Sequence, residues 1–307
     1  MAIHNFPEGV SIDEAHEKSG NNFNVVKIPM FYDHNGNRVP ADRTALVRED
    51  SGRMLGEVAG DDRYNIFQND SLRDFGKVLS GLGGASTARA GNLFGGQKVF
   101  YQFDLGEYAV GGKDKIKKFL TLTNIHSGKD CGTFGESETR IVCGNTFARA
   151  RTAENTLRLR HTSSLQDYKE EASRILSVTR EWAKQQQDIW DFLAMKKFGE
   201  MEFSKFLDEV LPPKEDSKNK RTANARDTIK DFFHGGIGAD MFQDSAWNAL
   251  NAVTQYVDHE ATVRVPDGES REEYKLDSIM FGRGAEMKQS ALESLMEYVP
   301  VALGGRA

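Results

Sequence analysis

The hydrophobic pattern switches repeatedly between a period of two and a helical period. In NFNVVKIPMFYD, Val25, Val26, Ile28 and Met30 predict an extended segment after a polar lead-in. RTALVREDSGRMLGEV carries two apolar runs around Asp50-Ser51-Gly52, a sequence suited to a tight turn, and predicts a hairpin. Leu72, Phe75, Val78 and Leu79 then recur at helical spacing. Asp70 or Ser71 can cap that helix, and the glycines after Leu82 can stop it. Alternation returns in TARAGNLFGGQKVFYQFDL, a hairpin turning at Gly95-Gly96, and in IKKFLTLTNIHSGKDCGTFGES, a strand pair turning near Ser127-Gly128. Thr139 to Arg151 reads as a short helix. Residues 164–198 read as a long amphipathic helix whose stripe includes Leu165, Tyr168, Ala172, Ile175, Trp182, Ile189 and Leu193.

LPPKEDSKNKRTANAR, residues 211–226, has two prolines and almost no apolar content, as an exposed linker would. Beyond it, DTIKDFFHGG, AWNALNAVTQYVDHE and EMKQSALESLMEYV predict short helices. The expected organisation is a polar N-terminal arm at 1–22, an α+β core at 23–210, a linker at 211–226 and a helical region at 227–307. The fold class is therefore α+β: antiparallel hairpins with packed helices, and a helical C-terminal part.

Bulk properties narrow the compartment. No apolar run approaches the roughly 18–20 residues of a membrane-spanning helix. The start MAIHNFPEGVSIDEAHEKSG lacks the basic and apolar regions of a signal peptide. Two cysteines, Cys131 and Cys143, suit a reducing compartment and are too few for a disulfide framework. The expectation is a protein of the cytoplasm, without membrane association.

Charge is the least uniform property. The chain carries a formal −6, yet residues 139–162 hold five arginines against one acid, Glu154, so this stretch is +4 and the remainder −10. Within LRLRH, an extended backbone would set Arg158 and Arg160 on one side, about 6.6 Å apart, with Leu157 and Leu159 on the other. Guanidinium groups at that spacing match successive phosphates of a nucleic acid strand. Such arginines could equally pair with carboxylates elsewhere on the surface.

Other motifs carry little chemistry. Gly106-Glu-Tyr-Ala-Val-Gly111-Gly112-Lys113-Asp114 departs from a phosphate loop, with its lysine one place late and Asp114 where a hydroxyl is needed. Glycine turns between strands explain it better. Phe281-Gly-Arg-Gly284 suits a helix-start turn. Asp258-His259-Glu260 sets three ligand types side by side, but helical neighbours diverge by about 100°. No HExxH or G-x-S-x-G occurs, and no cofactor is implied.

TALVREDSGRMLGEV, Tyr64 with Gln68, AGNLFGGQKVF, FLTLTNIHSGK, TRIVCGNT, LRLRH, AWNALNAVTQYVDHE and FGRGAEMK together resemble a family of phage and plasmid-like proteins of unknown function. More distantly, a helix, several antiparallel strands and a helix ending in basic residues resemble the β-β-β-α core of the single-strand annealing proteins, the RecT and Erf groups among them. That resemblance implies a non-enzymatic, ATP-independent phage protein that holds single-stranded DNA by its backbone in a basic groove. It implies a homo-oligomer, as a ring or filament, working beside a phage exonuclease. The groove residues it implies are Arg140, Asn145, Thr146, Arg149, Arg151, Arg158, Arg160 and His161, with Lys117 and Lys118 nearby. Only Phe147 and His161 in this strip could stack on bases, so base stacking is not expected there. The alternatives are an enzyme of phage DNA or nucleotide metabolism using Asp258, His259 and Glu260, and an interaction protein whose arginines are salt-bridged.

Overall fold

The structure, a computed structural model, describes residues 2–59, 64–128, 133–142, 146–148, 157–158, 165–213 and 220–303. The architecture is α+β, with antiparallel sheets and a helical C-terminal part. The strands are β1 (Ala2–Asn5), β2 (Val25–His34), β3 (Asn37–Arg48), β4 (Met54–Ala59), β5 (Thr87–Leu93), β6 (Lys98–Val110), β7 (Asp114–Ile125), β8 (Thr133–Arg140), β9 (Thr146–Ala148) and β10 (Leu157–Arg158). The helices are α1 (Ile12–Lys18), α2 (Asn69–Gly83), α3 (Leu165–Met195), α4 (Glu200–Val210), α5 (Lys220–Gly235), α6 (Ala246–Gln255), α7 (Arg271–Met280) and α8 (Arg283–Met296). Among the described residues one sheet runs β1-β5-β6-β7-β8-β10, with β9 also paired to β8; the other runs β2-β3-β4.

The chain divides into two compact units. The first comprises Met1–Leu105, Phe119–Gly135 and Arg151–Ser177; the second comprises Gly106–Lys118, Glu136–Ala150 and Val178–Ala307. In the first, α2 buries Leu72, Phe75 and Leu79, three positions of one helical face, against Tyr101 and Phe103 of β6 and Leu120 and Leu122 of β7. Each such side chain contributes roughly 1.5–3 kcal/mol by leaving water. Gly76 permits the approach, since a Cβ there would collide with Ile12 and Phe103.

The second unit is an aromatic helical core. The rings of Trp190 and Trp247 lie 5.1 Å apart, and Phe203 stacks on Phe233 at 4.0 Å. Phe198, Phe206, Leu250, Val253 and Leu295 complete the packing from several helices.

Several elements differ from expectation. Residues 1–22 contain β1, which pairs with β5, and α1, which buries Ile12 and Ala15. Within Thr139 to Arg151, read as a short helix, Thr146–Ala148 is a strand paired with Ser137–Thr139. The free edge of β8 satisfies its backbone groups, which a three-residue helical turn would leave open. Part of the expected linker, from Lys220 onward, already belongs to α5. Helix α2 begins at Asn69 with Gln68 at its N-cap, so Asp70 and Ser71 lie inside it. The Gln68 side chain is occupied elsewhere: its amide donates to the Val25 carbonyl at 2.8 Å and accepts from the Val25 N–H at 3.0 Å. It thereby extends the edge of β2 as a further strand would.

Candidate nucleic-acid interface and buried polar centres

Both described pieces of the arginine-rich connection return to β8. Strand β10 pairs Leu157 with Phe134 and Arg158 with Thr133, and β9 pairs Thr146 with Thr139. Arg140 is the last residue of β8. Asn145, Arg149, Arg151, Arg160 and His161 lie outside the described residues.

Lys117 and Lys118 are consecutive on β7, so they fall on opposite faces of the sheet. The Lys118 ammonium lies 4.1 Å from the ring centroid of Tyr108. The Tyr108 hydroxyl in turn donates to Glu138 at 3.1 Å, and the Trp190 indole N–H donates to the other oxygen of that carboxylate at 2.6 Å. Glu138 is buried, and two aromatic donors hold it. Lys117 is on the face of exposed Lys115 instead.

Three buried polar centres were not visible in the sequence. In the first unit, His16 Nε2 lies 3.0 Å from an oxygen of Asp70, and Nδ1 lies 2.6 Å from the Tyr101 hydroxyl. A carboxylate only accepts, so Nε2–H donates to Asp70 and Nδ1 accepts from Tyr101. Burial, then the nearby Arg73 charge, pushes the imidazole below its ordinary pKa; burial raises that of the Tyr101 phenol. Arg73 binds Asp70 at 2.9 Å and Asp74 at 3.0 Å. A carboxylate–imidazole–phenol chain can pass a proton, but Tyr101 has no exposed surface, so the chain ends where no substrate reaches. Its role here is to fasten α1 and α2 to β6.

The second centre joins Asn69, Asn124 and His126. The Asn124 amide donates to the Phe67 carbonyl at 2.7 Å, and His126 Nε2 lies 2.9 Å from the Asn69 side-chain oxygen. Burial lowers the His126 pKa to about 4. The third centre, in the second unit, is the ion pair Lys288–Asp258 at 2.9 Å, with both side chains almost wholly buried. Asp258 lies in the π-helical turn Tyr256–Glu260, where one extra residue per turn re-aims side chains. The Lys275 ammonium donates to the Val257 carbonyl at 2.8 Å and to that of Ala261. Asp258 is thus committed inward while His259 and Glu260 are exposed, so the three do not form one cluster. Among the described residues no group of three His, Cys, Asp or Glu side chains is placed to hold a metal ion. No described helix is long and apolar enough to cross a membrane.

These features define an α+β protein whose hairpin sheet feeds a long helix and whose buried polar groups serve the fold. The chain belongs to the family described as Domain of unknown function (DUF932), which it matches over residues 57–280, from within β4 to the end of α7. No curated protein and no solved structure matches it. The expected membership of a family without assigned function agrees with this match.

The His16, Asp70 and Tyr101 association was missed because 54 and 85 residues separate the partners. The β2–β3 hairpin was missed although His34-Asn35-Gly36-Asn37 carries a strong turn signal.

Proposed function

We propose that the protein binds single-stranded DNA by its phosphate backbone and promotes annealing of complementary strands without ATP or a metal. It acts as a homo-oligomer in the cytoplasm of a phage-infected host, beside an exonuclease that exposes the strands. The observation that carries this reading is the position of the +4 stretch in the chain. It connects the last of three consecutive antiparallel strands, β6 to β8, to the 31-residue helix α3. It also returns to β8 through β9 and β10 at the sheet's edge. If the chain continues extended beyond β10, arginines at alternate positions, Arg158 and Arg160, would offer phosphate ligands along one line. The acidic remainder discourages indiscriminate binding. Annealing needs no catalytic group: the protein neutralises phosphates and leaves base edges free to pair.

The test is fluorescence anisotropy of a labelled single strand over a series of salt concentrations. Binding should weaken steeply with salt and survive chelation. Arg158→Ala with Arg160→Ala should weaken it for every sequence alike, reducing the log–log salt slope by about 1.4 for two phosphate contacts. Absence of salt-sensitive binding by the unsubstituted protein overturns the reading.

A further inference from the structure

The three-stranded sheet β2–β3–β4 uses one face for the core. Val25, Leu46, Leu55 and Val58 turn into the hydrophobic cluster of the first unit. Alternation sends their neighbours to the other side. There the register sets Val47 between Val26 and Met54, and Ala45 between Ile28 and Glu57. Along β2 the same outer face continues through Met30 to Tyr32, which stands opposite Val39. Ile28, Tyr32 and Met54 are 47%, 54% and 49% exposed. A sheet face of this composition is stable when a second layer packs on it.

The opposite face of the hairpin is closed by the chain itself, since the Arg38 guanidinium lies 4.2 Å from the centroid of the Phe31 ring. Addition of a strand at the β2 edge is hindered as well. The outward N–H and carbonyl of Val25 are taken by Gln68, and Pro29, on the same outward side, has no N–H. A partner therefore meets this sheet by its outer face. From Val26 to Tyr32 the charges on that face are Arg43 and Glu57, and they pair with each other. The face is thus neutral on a chain of formal −6, so copies that repel one another over an acidic surface do not repel here. Its relief also fits itself. Ala45 and Val47, each 7% exposed, floor a depression beside Ile28 and Met54, while Tyr32 projects at the far end. A two-fold axis lying in the face and crossing β2 at Pro29 reverses the strands, and sets Tyr32 of each copy over Val26 and Val47 of the other.

We infer that the outer face of β2–β3–β4 is a contact with a second copy of this chain, the two sheets stacking face to face about a two-fold axis with Tyr32 seated beside Val47. The inference rests on the homo-oligomer part of the reading above and supplies its contact. Seven residues of β2 and three strands give a face roughly 20 Å by 14 Å. That is smaller than the patch of a standard stable complex, so this contact is reversible and depends on concentration.

The experiment is analytical ultracentrifugation of the full chain over a range of concentrations around the micromolar. The mass of the unsubstituted protein should rise with concentration. Tyr32→Asp and Val26→Lys should each raise the dissociation constant about a hundredfold, because a charge is then buried against an apolar neighbour. Mixed in equal amounts, the two variants should associate again. The introduced carboxylate of one then faces the introduced ammonium of the other, and the second Tyr32–Val26 contact is intact. Phe31→Ala, on the opposite face, should leave the mass unchanged. A monomer at every concentration, a mass that survives Tyr32→Asp, or a mixture that fails to associate overturns the inference. Anisotropy of labelled oligothymidylate on the same samples separates the two readings. Salt-sensitive strand binding without association through this face leaves strand binding standing, and association without strand binding overturns strand binding alone.

Discussion

The two units bury polar groups by different means. The first keeps them neutral: Asn69, Asn124 and His126 share hydrogen bonds, and His16 is an uncharged link between Asp70 and Tyr101. The second buries carboxylates, each held by at least one donor. Glu138 accepts from Trp190 and Tyr108, Asp114 accepts from the Trp247 indole at 2.9 Å, and Asp258 pairs with Lys288. A neutral network in the interior is sensitive to any change that adds charge to it. A buried ion pair is sensitive to any change that removes one partner. The two units should therefore fail under different perturbations.

The largest effect is expected from halving the ion pair. Lys288→Ala leaves the Asp258 carboxylate buried beside a void and should cost about 3–5 kcal/mol, read as a lower denaturant midpoint. Lys288→Met combined with Asp258→Leu removes both charges at similar volume and should be far less costly than the single change. If the double variant is as unstable as the single, the pair's charge is not what the second unit depends on.

Acid should act on the first unit. The folded pKa of His126, about 4, lies below the ordinary imidazole value of 6.5. Between those values the unfolded chain binds the proton more readily. The contribution is therefore complete above about pH 6.5 and is lost as pH falls towards 4, amounting to roughly 3 kcal/mol. His16, also lowered, adds to the loss in the same direction. The three tryptophans, Trp182, Trp190 and Trp247, all belong to the second unit. Unfolding of the first unit near pH 4–5 should thus reduce far-ultraviolet circular dichroism before tryptophan emission shifts. Coincident transitions would show the units to be one cooperative body. His126→Gln should flatten the acid limb.

The smallest effects should be equal in the two units. Ser11 caps α1 by accepting from the Glu14 N–H at 3.2 Å, and Ser245 caps α6 by accepting from the Asn248 N–H at 3.1 Å. Alanine at either position should cost about 1 kcal/mol in urea unfolding. A marked inequality would point to a difference in local stability that the polar centres do not explain.

The α+β class, the strands, the glycine turns and the long helix were legible because each depends on local pattern. Gly111-Gly112 turns β6 into β7, and Gly84 ends α2 with a φ of 66°. Residues 139–151 misled because a three-residue segment has little preference of its own and took what the edge of β8 offered. Of the candidate interface, charge and position in the chain were legible. The alternation of Lys117 and Lys118 across a strand was legible too; the withdrawal of Asp258 into an ion pair was not.

By itself, then, the sequence determined the order of the elements and the concentration of positive charge between the hairpin sheet and the long helix. Both are properties of neighbouring residues. Tertiary structure alone decided which polar groups meet in the interior and that the tip of the β2–β3 hairpin stays uncovered. Those outcomes depend on contacts between residues far apart in the chain, and on how far one strand's partner extends along it.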